Sequence, residues 1–399
     1  MPATSLLACL SGLALAAQAS PPQTTATPSQ GQPARAPARS GPFFPSDEAV
    51  RAFVRPYIDS RQAKGIVVGL VEPDGSRRVL TFGEAGEGAR PLAARSVFEI
   101  GSITKTFTGT ILADMVRRGE VKLDDPLGKY LPAGVRVPSF NGRAITLLDL
   151  ATHTSGLPRL PTGYVPPDPA NPYARFGPAD LYAFLNRHEL EREPGAKFEY
   201  SNLGMGLLGH ALARAAGADS FQALVAKRVL RPLRMSMTAY GRPAAIAPWM
   251  TKGHDRQGAV APRFDVAVLA GGGGLNSNVT DLMTYLDANI GEPTSPLEQA
   301  MREARRGYHL PRPGVEVGLG WMTMTRGPLT LVGHNGGTAG YSTYVAFNPG
   351  TRAGVVVLAN SGDFEYADKI GRELLNPERR PLIAKPAQAP PAATTAVTK

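Results

Sequence analysis

Cysteine is nearly absent from this chain of 399 residues: its single copy is Cys9. One thiol cannot make an intrachain bridge, so a disulfide framework is excluded. The 6 histidines, His153, His188, His210, His254, His309 and His334, show neither H-E-x-x-H nor paired metal spacing. Neither a metal nor a cofactor is expected. Beyond the first residues no apolar run approaches the roughly 20 residues of a membrane span. Acidic residues are the scarcer charge, 33 against 43 Lys and Arg, giving a formal charge of +10. Part of the excess sits near the ends, at Arg35, Arg39, Arg379, Arg380, Lys385 and Lys399. It comes with no basic helix, zinc-finger spacing or aromatic RNA-binding box, so nucleic acid is not an expected partner. Anionic surfaces such as cell wall or lipid headgroups remain compatible with it.

What is present begins with an export pattern. Leu6 to Ala17 is an apolar segment followed by Ala17-Gln18-Ala19, an A-x-A cleavage site, although no Lys or Arg precedes it. Residues 1–19 therefore read as a signal peptide and the protein as periplasmic or secreted. Leu6-Leu7-Ala8-Cys9 resembles a lipoprotein box, but almost no apolar run precedes it, which leaves lipidation as the weaker alternative. Residues 20–42 are rich in Pro, Ala, Thr, Gln and Ser and read as a disordered linker, and 377–399 as a similar tail. Residues 43–376 remain as the folded domain, expected to be a monomer and long enough for a sizeable core.

Ile66–Glu72 and Arg77–Phe82 flank Pro73-Asp74-Gly75-Ser76, a hairpin signal. Gly320–Met324, Leu329–His334, Tyr341–Phe347 and Gly354–Ala359 read as late strands. A lone hairpin is not stable, so early and late strands are expected to join in one antiparallel sheet. Helices over Glu48–Ala63 and Phe364–Leu375 would flank it, with a mainly helical lobe from Ser102 to about Asn289 inserted between the strand groups. The fold class is α+β, with a cleft where lobe and sheet meet.

Three clusters carry chemistry. In the first, Ser102 and Lys105 lie one turn apart at the start of a run whose apolar residues Ile103, Phe107, Ile111, Leu112, Met115 and Val116 keep helical spacing. A serine needs a base within reach, and a lysine serves if burial and a neighbouring cation lower its pKa. A capping serine beside a surface lysine is the bland alternative. In the second, Tyr200-Ser201-Asn202 precedes the helix Leu203–Ala216. A phenol there can shuttle a proton if a cation lowers its pKa, and an amide can orient a lysine and a carbonyl. In the third, His334-Asn335-Gly336-Gly337 ends a strand, where backbone can pair with an extended substrate, glycines allow close approach and His334 can supply a cation or donor. Two patterns are decoys. Gly204-Met205-Gly206-Leu207-Leu208-Gly209 matches G-x-G-x-x-G inside a helix, where small residues serve packing, and Gly271–Gly274 lacks the Lys of a phosphate loop and reads as a flexible turn. Thr152-His153-Thr154-Ser155-Gly156-Leu157-Pro158 reads as a structured turn, and the proline-rich loop after it, Pro158 to Pro178, as a substrate wall.

Taken together, the clusters resemble the serine β-lactamase and DD-peptidase superfamily, whose pattern is S-x-x-K, then S-x-N or Y-x-N, then K-T-G or a variant. Phe98-Glu99-Ile100-Gly101-Ser102-Ile103-Thr104-Lys105 and the tyrosine form of the second motif are similar to the class C β-lactamase branch, with its related carboxypeptidases and esterases. The resemblance runs from Glu48 to about Leu375 and implies a β-lactamase/transpeptidase-like fold. It implies Ser102 as nucleophile, Lys105 as its proton acceptor, Tyr200 as second acid/base and Asn202 as orienting amide. His334 stands where the family often has Lys, and the amides of Ser102 and Gly337 would form the oxyanion hole. Thr104 departs from the usual Ser or Ala, and His334-Asn335-Gly336 from Lys-Thr-Gly, which argues against a dedicated β-lactamase. The implied activity is acyl transfer through an acyl-enzyme. The expected substrates are D-Ala-D-Ala-type peptides, β-lactams as their mimics and, through them, peptidoglycan. A class C-like esterase and a penicillin-binding sensor that does not turn over are the alternatives.

Overall fold

The computed structural model describes residues 42–362, 365–379 and 383. The signal peptide, Cys9, most of the linker and most of the C-terminal tail lie outside the described residues.

Ile66-Val67-Val68-Gly69-Leu70-Val71 is apolar throughout because its strand, Gly65–Val71, is buried on both faces. Alternate side chains enter different cores, as the two-residue period of a strand requires. Ile66, Val68 and Leu70 meet Val50, Val54, Ile370 and Leu374 from the helices Asp47–Asp59 and Glu365–Leu375. Val67 and Val71 face the larger core of the helical lobe.

The expected joining of early and late strands holds. Gly65–Val71 pairs antiparallel with Arg77–Gly83 on one side and with the last strand, Ala353–Ala359, on the other. From there Ser342–Asn348, Leu329–Gly337, Met322–Arg326, Val315–Val317 and His309–Arg312 complete an 8-stranded antiparallel sheet. The last two strands were not anticipated. They are short, Pro311 interrupts one of them, and edge strands of that kind leave little apolar alternation to read.

The lobe between the strand groups is helical as expected, with helices Thr104–Arg117, Leu147–Ala151, Pro178–Arg187, Asn202–Ala215 and Val279–Ile290 among its parts. The first of them is central. Every residue from Thr104 to Met115 is buried, so this is an interior helix and not a surface one. Its Phe107 stacks on Tyr285 with ring centroids 4.1 Å apart, and Tyr285 stacks in turn on Trp321 beside the sheet. Such pairs add about 0.5–1.5 kcal/mol each beyond their burial, and they fix the helix against both lobe and sheet.

Two expectations about glycine meet different outcomes. Gly206 and Gly209 do serve packing: Leu269 lies against the first and Gly271 against the second. Gly271–Gly274, read as a flexible turn, is instead mostly buried against that helix, and it leads into a strand, Leu275–Ser277, that pairs with Phe98–Glu99. Burial against another backbone removes the freedom that a glycine run has in solvent.

Candidate active site

The nucleophile candidate sits in a tight turn. Gly101–Ile103 forms a single 3-10 turn before the helix Thr104–Arg117. Gly101 has φ +51, a left-handed conformation that suits glycine, and a Cβ there would stand 2.6 Å from the Gly337 nitrogen. A Cβ on Gly336 would stand 2.0 Å from the Ile100 carbonyl oxygen. The third cluster is thus pressed against the turn that carries Ser102, and the glycines are what allow it. Thr343 Oγ1 closes the contact by donating to the Ile100 carbonyl at 3.1 Å. Thr104 has a local use too: its hydroxyl accepts from the Leu275 amide at 3.3 Å and ties helix to strand.

The second cluster is placed by the Thr152–Pro158 turn, which behaves as the structured turn it was read to be. A capping box between Thr146 and Asp149 opens its helix. Ser201 caps the helix Asn202–Ala215, accepting from Gly204 N at 2.8 Å and donating to the Pro158 carbonyl at 2.7 Å. The Arg159 carbonyl accepts from the amides of Asn202 and Leu203 at 3.0 and 3.1 Å. His153, held at φ +60, accepts from the Ser201 amide through Nδ1 at 3.2 Å. Its ring lies 4.4 Å from that of Tyr200.

Three of the expected residues, Ser102, Asn202 and Tyr200, converge on the lysine amine. Lys105 is fully buried, and its Nζ lies 3.0 Å from Ser102 Oγ, 2.7 Å from Asn202 Oδ1 and 2.6 Å from the Gly272 carbonyl. Its Nζ also lies 4.9 Å from the centre of the Tyr200 ring. Burial first, and then the Arg159 guanidinium, push the amine well below its ordinary value. A neutral amine has two N–H donors and one lone pair. Two carbonyl acceptors and one hydroxyl match that inventory, with the lone pair left for the serine proton.

Tyr200 departs from its expected behaviour. Burial pushes the phenol up to about 12, outweighing a hydrogen bond with Ser102 and the charge of Arg159. It rests as a protonated donor and not as a phenolate.

His334 departs further. It is buried, its ring centre lies 6.2 Å from that of Tyr200, and its Nδ1 donates to the Asn335 carbonyl at 2.5 Å. Burial, with the Lys105 charge as a smaller cause, pushes the imidazole down to about 4. The ring is neutral at neutral pH and does not supply the cation that position was expected to offer. Asn335 projects to the other face of its strand and is exposed.

The strand itself is suited to substrate. Leu329–Gly337 pairs with Met322–Arg326 only as far as Gly333, while residues 334–337 pair on their other side with Val345, Tyr344, Thr343 and Ser342. The backbone edge beside Ser102 is therefore left free of the sheet. The proline-rich loop is tied to the loop before Gly271: Asn171 and Asp265 exchange two hydrogen bonds of 2.8 and 3.0 Å. Three parts of this site had no separate signal in the motifs, namely the Gly272 carbonyl, the His153 ring under Tyr200, and Arg159.

A sequence model of the family described as Beta-lactamase matches residues 50–376. The chain is 34% identical over 310 residues to a protein named D-alanyl-D-alanine-carboxypeptidase/endopeptidase AmpH from Escherichia coli (strain K12), covering 72% of this chain and 78% of that one. It is 29% identical over 357 residues to a protein named Beta-lactamase from Pseudomonas fluorescens, covering 81% and 95%. Among solved structures, the D-alanine carboxypeptidase AmpC from Burkholderia cenocepacia superposes with a TM-score of 0.71 at 26% identity, covering 82% of this chain and 97% of that one.

Proposed function

The chain belongs to the beta-lactamase family of serine hydrolases, and from that premise we propose that it is an exported acyl-transfer enzyme acting on D-Ala-D-Ala-type peptides, with β-lactams as mimics. The observation that carries this reading is the buried Lys105 amine, shared between Ser102 Oγ, Asn202 Oδ1 and the Gly272 carbonyl. Lys105 takes the Ser102 proton as Oγ bonds to the carbonyl carbon. The carbonyl electron pair moves to oxygen, between the Ser102 and Gly337 amides. As the intermediate collapses, Tyr200 gives its proton to the leaving nitrogen and receives the one held by Lys105. Water then attacks the acyl-enzyme, its proton passing to Lys105 and on to Ser102 Oγ as the acid leaves. The free edge at 334–337 pairs with the extended substrate.

A class C-like esterase is the second reading, favoured by the neutral His334, which leaves the third motif without a cation for a substrate carboxylate. Intact mass followed over time with a penicillin, a D-Ala-D-Ala peptide and a short acyl ester separates the two. A transient adduct with the peptide and slow release of the penicillin is expected. Adducts with the ester alone would select the esterase, and a permanent penicillin adduct the sensor. Export is checked by N-terminal sequencing of protein recovered outside the cytosol, which should read from Ser20.

A further inference from the structure

We propose that Arg159 is the residue that recognises a carboxylate on the substrate, from the Tyr200 side of the site. This rests on the reading of the site as a peptide-binding serine hydrolase. The guanidinium carbon lies 5.2 Å from the centre of the Tyr200 ring. Its main chain is fixed independently of its side chain, because the Arg159 carbonyl takes the first amides of the helix that carries Asn202. The side chain is exposed, so ligand can reach it.

The charge inventory around it is one-sided. Other arginines of the molecule do meet carboxylates: Arg143 pairs with Asp149, Arg242 with Glu99, and Arg263 with Asp265. Among the described residues no carboxylate pairs with Arg159. The bases that face the same ring, Lys105, His153 and His334, are all pushed towards their neutral forms, Arg159 contributing to the first two. The Arg159 guanidinium thus stands over the Tyr200 ring without a carboxylate, and its fork of N–H donors suits a substrate carboxylate in two-point contact. A substrate can present that group on its leaving side, as the C-terminus of a D-Ala-D-Ala peptide, or on its acyl side.

Four dipeptides separate these sources: acetyl-D-Ala-D-Ala and succinyl-D-Ala-D-Ala, each as the free acid and as the C-terminal amide. Binding is measured by calorimetry in a Ser102→Ala background, so that chemistry plays no part, with Arg159, Arg159→Gln and Arg159→Lys. Arg159→Gln is expected to weaken one carboxylate-bearing pair, the two free acids or the two succinyl peptides, by about 10- to 100-fold more than acetyl-D-Ala-D-Ala amide. Arg159→Lys should recover part of the loss, and added salt should narrow the difference. Loss confined to the free acids assigns the leaving side, and loss confined to the succinyl peptides the acyl side. Equal weakening of all four, or of none, overturns the proposal and leaves Arg159 as support for the Tyr200 ring. Acylation of the Ser102 protein is followed separately. Its failure would remove the hydrolase reading while the binding comparison still decides the role of Arg159.

Discussion

Replacing Lys105 by Met tests the protonation state on which the chemistry depends. Methionine keeps most of the volume and removes the amine, leaving Asn202 Oδ1 and the Gly272 carbonyl without their donor. Each orphaned acceptor costs about 1–3 kcal/mol, an offset that does not change with pH. The lysine's own contribution does change. Its native pKa lies well below the ordinary value, so between the two values the unfolded chain binds one more proton than the native one. Stability from this group is therefore absent below the native pKa, rises with pH, and is complete above the unfolded value near about 10.4. Each pH unit inside that window is worth about 1.4 kcal/mol. The unfolding free energy of the wild type minus that of Lys105→Met should then grow with pH between about pH 7 and about pH 9, at up to that per-unit value wherever the native amine has already lost its proton. His334 titrates at about 4 and Tyr200 at about 12, both outside the range measured. Urea unfolding of both proteins across that range gives the difference directly. The acylation rate of the variant should fall by about 10²–10⁴-fold with loss of the general base. A difference that stays flat with pH would mean that native Lys105 keeps its proton, and the neutral-base mechanism would be wrong.

Three further outcomes follow from the same geometry. Ser102→Ala should abolish the mass adduct while changing stability by about 1 kcal/mol or less, since the hydroxyl caps no helix; Ser155→Ala, in the structured turn, should still acylate, and the reverse pattern would move the nucleophile. His334→Gln should leave the shape of the kcat/KM profile between pH 5.5 and 8 unchanged, because the native imidazole is already neutral there; a wild-type inflection near about 6.5 that vanishes in the variant would restore its cationic role. Gly336→Ala places a carbon 2.0 Å from the Ile100 carbonyl, so strand and nucleophile turn must separate; acylation should drop by about 10²-fold, and an unaffected rate would show that the close approach is not needed.

The sheet was legible because its strands announce themselves twice. Gly65–Val71 is apolar at every position except glycine, and the turn after it carries Asp74-Gly75. Once a hairpin needs partners, the late strands are the available ones, and in the structure the last of them, Ala353–Ala359, pairs with Gly65–Val71. The edge strands escaped for the opposite reason. Leu310 is 62% exposed, so no buried face imposes a pattern on its neighbours. The Gly271–Gly274 run misled because glycine has no side chain to say whether solvent or another backbone surrounds it. Here it is the backbone of Met205 and Gly209, whose atoms come within 3.0 Å of where a Gly271 side chain would begin.

In the site, what could be read was spacing, and what could not was environment. Ser102 and Lys105 are three residues apart at a helix start, and any right-handed turn brings such residues to one face. Asn202 meets the same amine across 97 positions of sequence, and only the resemblance to a known family joined them. The Gly272 carbonyl belongs to every residue type alike, so no motif can mark it. The errors about Tyr200 and His334 share one physical cause. The phenol was read as a proton shuttle if a nearby cation lowered its pKa, and the imidazole as a source of a cation or donor, yet both sit where removal from water outweighs nearby charges, which moves the first up and the second down. Arg159 was overlooked because a single arginine beside prolines has no pattern. Its meaning comes from what surrounds it: an aromatic ring, three bases held towards neutrality, and no carboxylate. A site that pushes its own bases towards neutrality while leaving the Arg159 guanidinium without a carboxylate reserves that charge for what enters it.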